Sequence, residues 1–231
     1  MSNQSEPILL INFKTYLEAT GKKAVELARK MEMVGQETGV RVGVAPQFCD
    51  IEQVAAHVKI PVFVQHLDPI TPGAFTGHVL AESVSAAGAT GTLINHSERN
   101  LKLPEIEKSV ERARKVGLTS VVCAGTARLG AAVALFEPDM VAIEPPELIG
   151  SGRAVSKESP EIITESVRRI HAVNGQVRIL CGAGITTGED VYAALKLGTQ
   201  GVLVASGVVK ASEPERVLRD FCEAVRKYTY K

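Results

Sequence analysis

The chain has no tryptophan, only 4% aromatic residues and no basic run, so it lacks the stacking platforms and charged grooves that hold nucleic acid. It also lacks net charge. Twenty-six lysines and arginines balance 26 aspartates and glutamates, leaving no overall field to attract nucleic acid or an anionic membrane. Its four cysteines, Cys49, Cys123, Cys181 and Cys222, are scattered without a C-x-x-C pair. They read as small core hydrophobes of a reducing compartment, not as a disulfide framework. The five histidines, His57, His66, His78, His96 and His171, form no H-x-x-x-H pair, so no metal site is expected. No hydrophobic run approaches the ~18 residues of a membrane span. Residues 1–7 are polar, and the apolar run 8–11 is cut by Asn12, too short for a signal-peptide core. A soluble, cytoplasmic protein is expected, with no nucleic-acid or membrane partner.

What is present is alternation. Of 231 residues, 45% are hydrophobic and 23% charged, enough for one sizeable core. Short apolar, β-branched runs recur at 8–13, 40–44, 61–64, 91–94, 120–123, 140–143, 177–180 and 201–204. Runs that are apolar throughout suit parallel strands covered on both faces. Between them, Ala24, Leu27, Ala28 and Met31 follow helical spacing, as do Ile106, Val110 and Ala113, and Val217, Phe221 and Val225. Gly39 and Gly117 stand where left-handed C-caps are wanted. Ser159-Pro160 reads as an N-cap followed by proline, and 187–190 and 212–215 have capping-box spacing. Eight strand–helix units imply a closed (β/α)8 barrel, because closure removes both sheet edges. Helices after Asp50 and Cys123 are expected to be short. No linker-like break divides the chain, so residues 1–231 are read as a single barrel domain.

In such a barrel the reactive groups come from the C-terminal ends of strands. Those positions offer Asn12 and Lys14, then Asn95-His96-Ser97-Glu98-Arg99, then Glu144-Pro145-Pro146-Glu147, then Gly182-Ala183-Gly184, and finally Ala205-Ser206-Gly207. Singly, each has a plain structural reading: a hydrogen-bonded histidine, a rim salt bridge, a solvated lysine, turn glycines. Their convergence on one end of eight strands is what carries weight. The glycines suggest phosphate, which barrels hold with the loops after strands 7 and 8 and a short helix N-terminus. The turn Gly150-Ser151-Gly152 adds possible donors. A dinucleotide reading of Cys181-Gly182-Ala183-Gly184-Ile185 lacks the third glycine and an acidic residue about 20 positions on.

Over essentially its whole length the chain resembles the triosephosphate isomerase family. The segments that carry the resemblance are Asn12-Phe13-Lys14, Gly73-Ala74-Phe75-Thr76-Gly77, Asn95-His96-Ser97-Glu98-Arg99, Ala142-Ile143-Glu144-Pro145, Ile149-Gly150-Ser151-Gly152 and Gly201-Val202-Leu203-Val204. The short stretch between Cys123 and Met140, with Cys-Gly-Ala-Gly-Ile after the seventh strand, is similar to the archaeal branch. His78 replaces a usual acidic residue, Pro146-Glu147-Leu148 replaces the commoner lid sequence, Gly184 replaces a frequent serine, and Ala205-Ser206 replaces Gly-Gly.

The resemblance implies interconversion of dihydroxyacetone phosphate and D-glyceraldehyde 3-phosphate in glycolysis and gluconeogenesis, without a cofactor. It implies Glu144 as the base that moves a proton between C1 and C2 through an enediolate. It makes His96 the neutral carbonyl polariser, helped by a helix opened at Ser97, and Lys14 the stabiliser of negative charge. Substrate would be held by Asn12, Lys14, Ile149, Gly150, Gly184, Ala205 and Ser206. Glu98 would pair a nearby cation. Residues 145–152 would form a lid over the phosphate. The loop at 68–78, with Thr76 at its tip, would dock beside a neighbour's active site. A homotetramer built as a dimer of dimers is expected, with a homodimer as the fallback. Two other readings stand beside this one. A phosphate-binding epimerase or synthase would need a metal, paired carboxylates or a larger pocket. A catalytically silent barrel acting as sensor or scaffold has the set Lys14, His96 and Glu144 against it.

Overall fold

A computed structural model of the chain describes residues 6–150 and 152–230. Residues 1–5, most of the polar leader, lie outside the described residues, as does Ser151 of the Gly150-Ser151-Gly152 turn. Eight strands form: β1 (Ile8–Asn12), β2 (Arg41–Ala45), β3 (Phe63–Val64), β4 (Gly91–Ile94), β5 (Thr119–Ala124), β6 (Met140–Ile143), β7 (Arg178–Gly182) and β8 (Gly201–Val204). All pair in parallel in the order 2-1-8-7-6-5-4-3. A bridge between Val44 and Val62 joins the two ends, with the Val44 N–H donating to Pro61 O at 3.0 Å. The sheet is therefore a barrel, as expected.

The apolar strand runs serve two cores. Side chains alternate along each strand, so Ile8 and Leu10 point into the barrel while Leu9 and Ile11 face the helices. Phe63, Leu93, Val121, Met140, Leu180 and Leu203 are the other large side chains of the inner core, with Ala45, Cys123 and Ala142 between them. The outer core packs strands against α1 (Lys22–Thr38), α2 (Ile51–Ala55), α3 (Ala81–Ala86), α4 (Leu103–Lys115), α5 (Ala127–Ala134), α6 (Val155–Glu158), α7 (Pro160–Val173), α8 (Gly188–Lys196), α9 (Ser206–Val209) and α10 (Pro214–Thr229). The helices after Asp50 and Cys123 are indeed short, with five and eight residues. Gly39 ends α1 at φ +71°, and Gly117 follows α4 at φ +78°.

Two helix starts depart from expectation. Ser97 opens no helix: Arg99 N–H donates to His96 O at 2.7 Å, closing a turn, and α4 begins at Leu103. Pro104 explains this. A helix begun at Ser97 would bury that proline in its interior, where it lacks a donor and clashes with the preceding turn. Likewise α10 starts after Glu213, not Ser212, because Pro214 occupies its first turn. The capping box at Thr187 and Asp190 forms as read. Ser159 does precede Pro160 and α7, but its side chain makes no capping bond. Among the described residues, no helix is long and apolar enough to cross a membrane.

Candidate active site

All nine residues singled out from the sequence line one cavity of about 260 Å³ at the C-terminal end of the barrel: Asn12, Lys14, His96, Glu144, Ile149, Gly150, Gly184, Ala205 and Ser206. Ile149 and Gly150 come from the loop after β6. Asn12 ends β1, and Lys14, His96, Glu144, Gly184, Ala205 and Ser206 follow strands within two residues, where the backbone leaves the ladder and can turn a side chain inward. That turning is visible as strain. Lys14 (φ 46°), Asn95 (φ 60°) and Ala183 (φ 72°) adopt left-handed backbone immediately after β1, β4 and β7.

The strained lysine is clamped from three sides. Asn12 Oδ1 accepts the Lys14 N–H at 2.9 Å, and Gln65 Nε2 donates to Lys14 O at 2.9 Å. Lys14 Nζ then meets Glu98 Oε1 at 2.8 Å. Glu98 is 60% exposed and the lysine side chain 10%, so the cation is fixed at the cavity wall by a partner on its rim. This is the pairing expected of Glu98. Asn95 is held by Cys123 O, to which its Nδ2 donates at 2.9 Å, and by Leu101 N–H, which donates to its Oδ1 at 2.8 Å.

His96 is oriented by the turn that follows it. Glu98 N–H donates to His96 Nδ1 at 3.2 Å, so Nδ1 presents a lone pair and the ring proton sits on Nε2. The turn thus supplies the fixed dipole that a helix at Ser97 was expected to supply. Nε2 faces Glu144 Oε2 at 3.7 Å, too long for a hydrogen bond. Glu144 Oε2 is buried with no partner. Burial holds the Glu144 carboxyl above its ordinary range, against the opposing pull of His96, the Cys123 thiol and Lys14. Burial, and then the neighbouring Glu144, also push the Cys123 thiol up. A buried carboxylate with an unused oxygen, aimed at a cavity, is poised to take a proton.

The opposite wall is backbone. Gly184 (φ +71°) packs so closely on the chain at Arg153 and Ala154 that a Cβ there would overlap their main-chain atoms. Val155 N–H, at the start of α6, donates to Ala183 O at 3.4 Å, tying the chain just beyond the 145–152 segment to the loop after β7. Asp190 steadies that loop. Its Oδ2 accepts the N–H groups of Thr186 and Thr187 at 3.0 and 2.9 Å, and its Oδ1 meets Lys157 Nζ at 2.7 Å. Burial opposes its ionisation, but these partners outweigh it and hold the Asp190 carboxyl below its ordinary range.

Residues missed from sequence also reach the site. Gln65 follows β3 at a strand C-terminal end, so the rule used for the other strands would have found it. Tyr16 and Thr186 line the cavity without any local signature.

The model of the family described as "Triosephosphate isomerase" matches residues 7–226. The chain belongs to the triosephosphate isomerase family. It is 52% identical to a triosephosphate isomerase of Methanobacterium bryantii, over 95% of this chain and 97% of that protein. A triosephosphate isomerase of Methanoculleus marisnigri is 54% identical over 93% of this chain and 96% of its own length. One from Methanocaldococcus jannaschii is 47% identical over 94% of this chain and all of its own. The resemblance to the family's archaeal branch agrees with these relatives.

Proposed function

We propose that the chain is a triose-phosphate isomerase, the name its relatives carry, and that it interconverts dihydroxyacetone phosphate and D-glyceraldehyde 3-phosphate. The observation that carries the site assignment is the buried Glu144 carboxylate, whose Oε2 has no hydrogen-bond partner and faces His96 Nε2 in the cavity that Lys14 also lines. Glu144 removes the proton from one carbon and returns it to the other. His96 donates from Nε2 to the substrate oxygens, and Lys14 stabilises the charge of enediolate and phosphate. Asn12 fixes Lys14, while Ile149, Gly150, Gly184, Ala205 and Ser206 hold the phosphate end. No cofactor enters these steps.

Residues 145–152 act in this reading as a lid that shields the enediolate from water and from loss of phosphate. Deleting residues 147–149 then diverts product toward methylglyoxal and inorganic phosphate; an unchanged product partition removes the protective role. The chain works as a single barrel domain in the cytoplasm, in glycolysis and gluconeogenesis. It assembles as a homotetramer built from dimers. Phe75, 44% exposed on the 68–78 loop, and Leu135, 69% exposed after α5, support the two contacts required. A coupled assay starting from glyceraldehyde 3-phosphate tests the activity: formation of dihydroxyacetone phosphate by the purified protein is expected, and its absence refutes the reading.

A further inference from the structure

The barrel carries a second cavity at its other end, about 520 Å³ against 260 Å³ for the candidate active site. Its wall includes Arg41, the first residue of β2, and Arg178, the first residue of β7. Only the opening residues of β1 and β8 lie between them: Ile8 pairs with Arg41 on one side and with Gly201 on the other.

Neither guanidinium has a carboxylate within salt-bridge distance among the described residues. Arg178 Nη2 donates to the carbonyls of Glu6 and Gln200, at 2.7 and 3.3 Å, while its Nε is buried with no partner. Burial, and then the like charge of Arg41, hold Arg178 below the ordinary arginine range. The acids on the same wall are engaged elsewhere. Asp139 Oδ2 accepts from the N–H and the hydroxyl of Ser120 at 2.8 and 2.9 Å, and Glu137 lies 3.8 Å from Arg114. Asn174 gives its Oδ1 to the Gln176 N–H at 2.9 Å, which leaves its amide NH₂ as a donor.

Two neighbouring guanidinium groups, one with an orphaned N–H, are unfavourable in a half-buried wall without a counter-ion. A multivalent oxyanion in the cavity removes the repulsion, and the planar guanidinium fork matches its geometry. We propose that this basal cavity binds the phosphate group, seated between Arg41 and Arg178 with Asn174 as an added donor. Because the site lies at the far end of the barrel from Glu144, its occupancy stabilises the native state and leaves turnover unchanged.

The test follows the Arg178 Nε–H signal in ¹H–¹⁵N spectra, assigned by its loss in Arg178→Lys. The protein is titrated with inorganic phosphate and, separately, with glycerol 2-phosphate. The amides of Gly184 and Gly207, at the candidate active site, serve as an internal reference. The Arg178 signal shifts saturably with a midpoint of its own, and Arg41→Gln abolishes that shift while the Gly184 and Gly207 shifts persist. A response to phosphate alone assigns the free ion, and a response to both assigns the phosphoryl group of a larger molecule. Arg41→Lys keeps the charge and loses the fork, so it weakens the basal midpoint and gives a second variant should Arg41→Gln not fold. Shifts confined to Gly184 and Gly207, or an Arg178 shift that survives both Arg41 variants unchanged, overturn the proposal.

Discussion

Gly182, the last residue of β7, makes room for Glu144, the residue that follows the neighbouring β6. A Cβ at position 182 would stand 2.6 Å from Glu144 Oε1 and 2.8 Å from its Cδ, closer than unbonded atoms pack. The carboxylate therefore occupies volume that any side chain at 182 would claim. Gly182→Ala should displace the carboxylate by about an ångström and lower kcat about 100-fold, since misplacement on that scale carries such a cost. Circular dichroism and kinetics on the same sample check this; a kcat within twofold of wild type contradicts it.

The burial of Glu144 sets a pH dependence with a definite sign. Its folded-state carboxyl titrates above the ordinary 4.5. Between those two values the native state binds more protons than the unfolded state, so this group's contribution to stability falls as pH rises through the window. Catalysis runs the other way, because only the ionised carboxylate accepts a proton. Activity should fall on the acid side at a pH above 4.5 while the contribution of Glu144 to thermal stability is largest there, and Glu144→Gln should remove that component of the stability profile. Paired pH profiles of kcat/KM and Tm check both; an acid limb at the ordinary glutamate value contradicts the account.

Lys14→Met should lower kcat/KM by at least about 1000-fold through lost stabilisation of developing negative charge. It should leave the fold intact, because Asn12 and Gln65 hold the backbone of residue 14, not its side chain. Added EDTA should leave the wild type unchanged. Activity that falls in EDTA and returns with zinc or magnesium contradicts a metal-free reaction.

The strands were legible because both faces of each are buried, which writes continuous apolar runs into the chain. Asn12, Lys14, His96, Glu144, Gly184, Ala205 and Ser206 were legible as cavity residues because a parallel barrel gathers strand ends at one rim, whereas Ile149 entered only through the family resemblance and Gly150 as a turn glycine. Helix starts were less so. The Ser97 and Ser212 readings failed because Pro104 and Pro214, a few residues on, fix the first turn. Gly182 making space for Glu144 is a contact between neighbouring strands 38 positions apart, and no local pattern announces it. The base of the 68–78 loop is similar. Asp68 Oδ2 accepts the Val79 N–H at 2.7 Å, and His66 Nε2 meets Asp68 Oδ1 at 3.0 Å, which ties the loop shut without a sequence signature.

That tied loop underlies a prediction about assembly. A loop held rigid at its base presents Phe75 and Thr76 at little ordering cost, which favours docking onto a second copy. Sedimentation velocity at micromolar concentration should find a tetramer, and Phe75→Asp together with Thr76→Glu should shift it toward smaller species. A wild-type monomer contradicts the assembly.

The central claim is that Glu144 carries a proton between C1 and C2 through an enediolate. Turnover of glyceraldehyde 3-phosphate in ²H₂O, read by NMR of the recovered dihydroxyacetone phosphate, tests it most directly. A base that exchanges its proton with solvent during turnover should place deuterium at C1, and Glu144→Gln should lower that incorporation by several powers of ten, about what loss of a base acting only in the transition state removes. Product formed at the wild-type rate with no solvent deuterium, or incorporation undiminished in Glu144→Gln, contradicts the account.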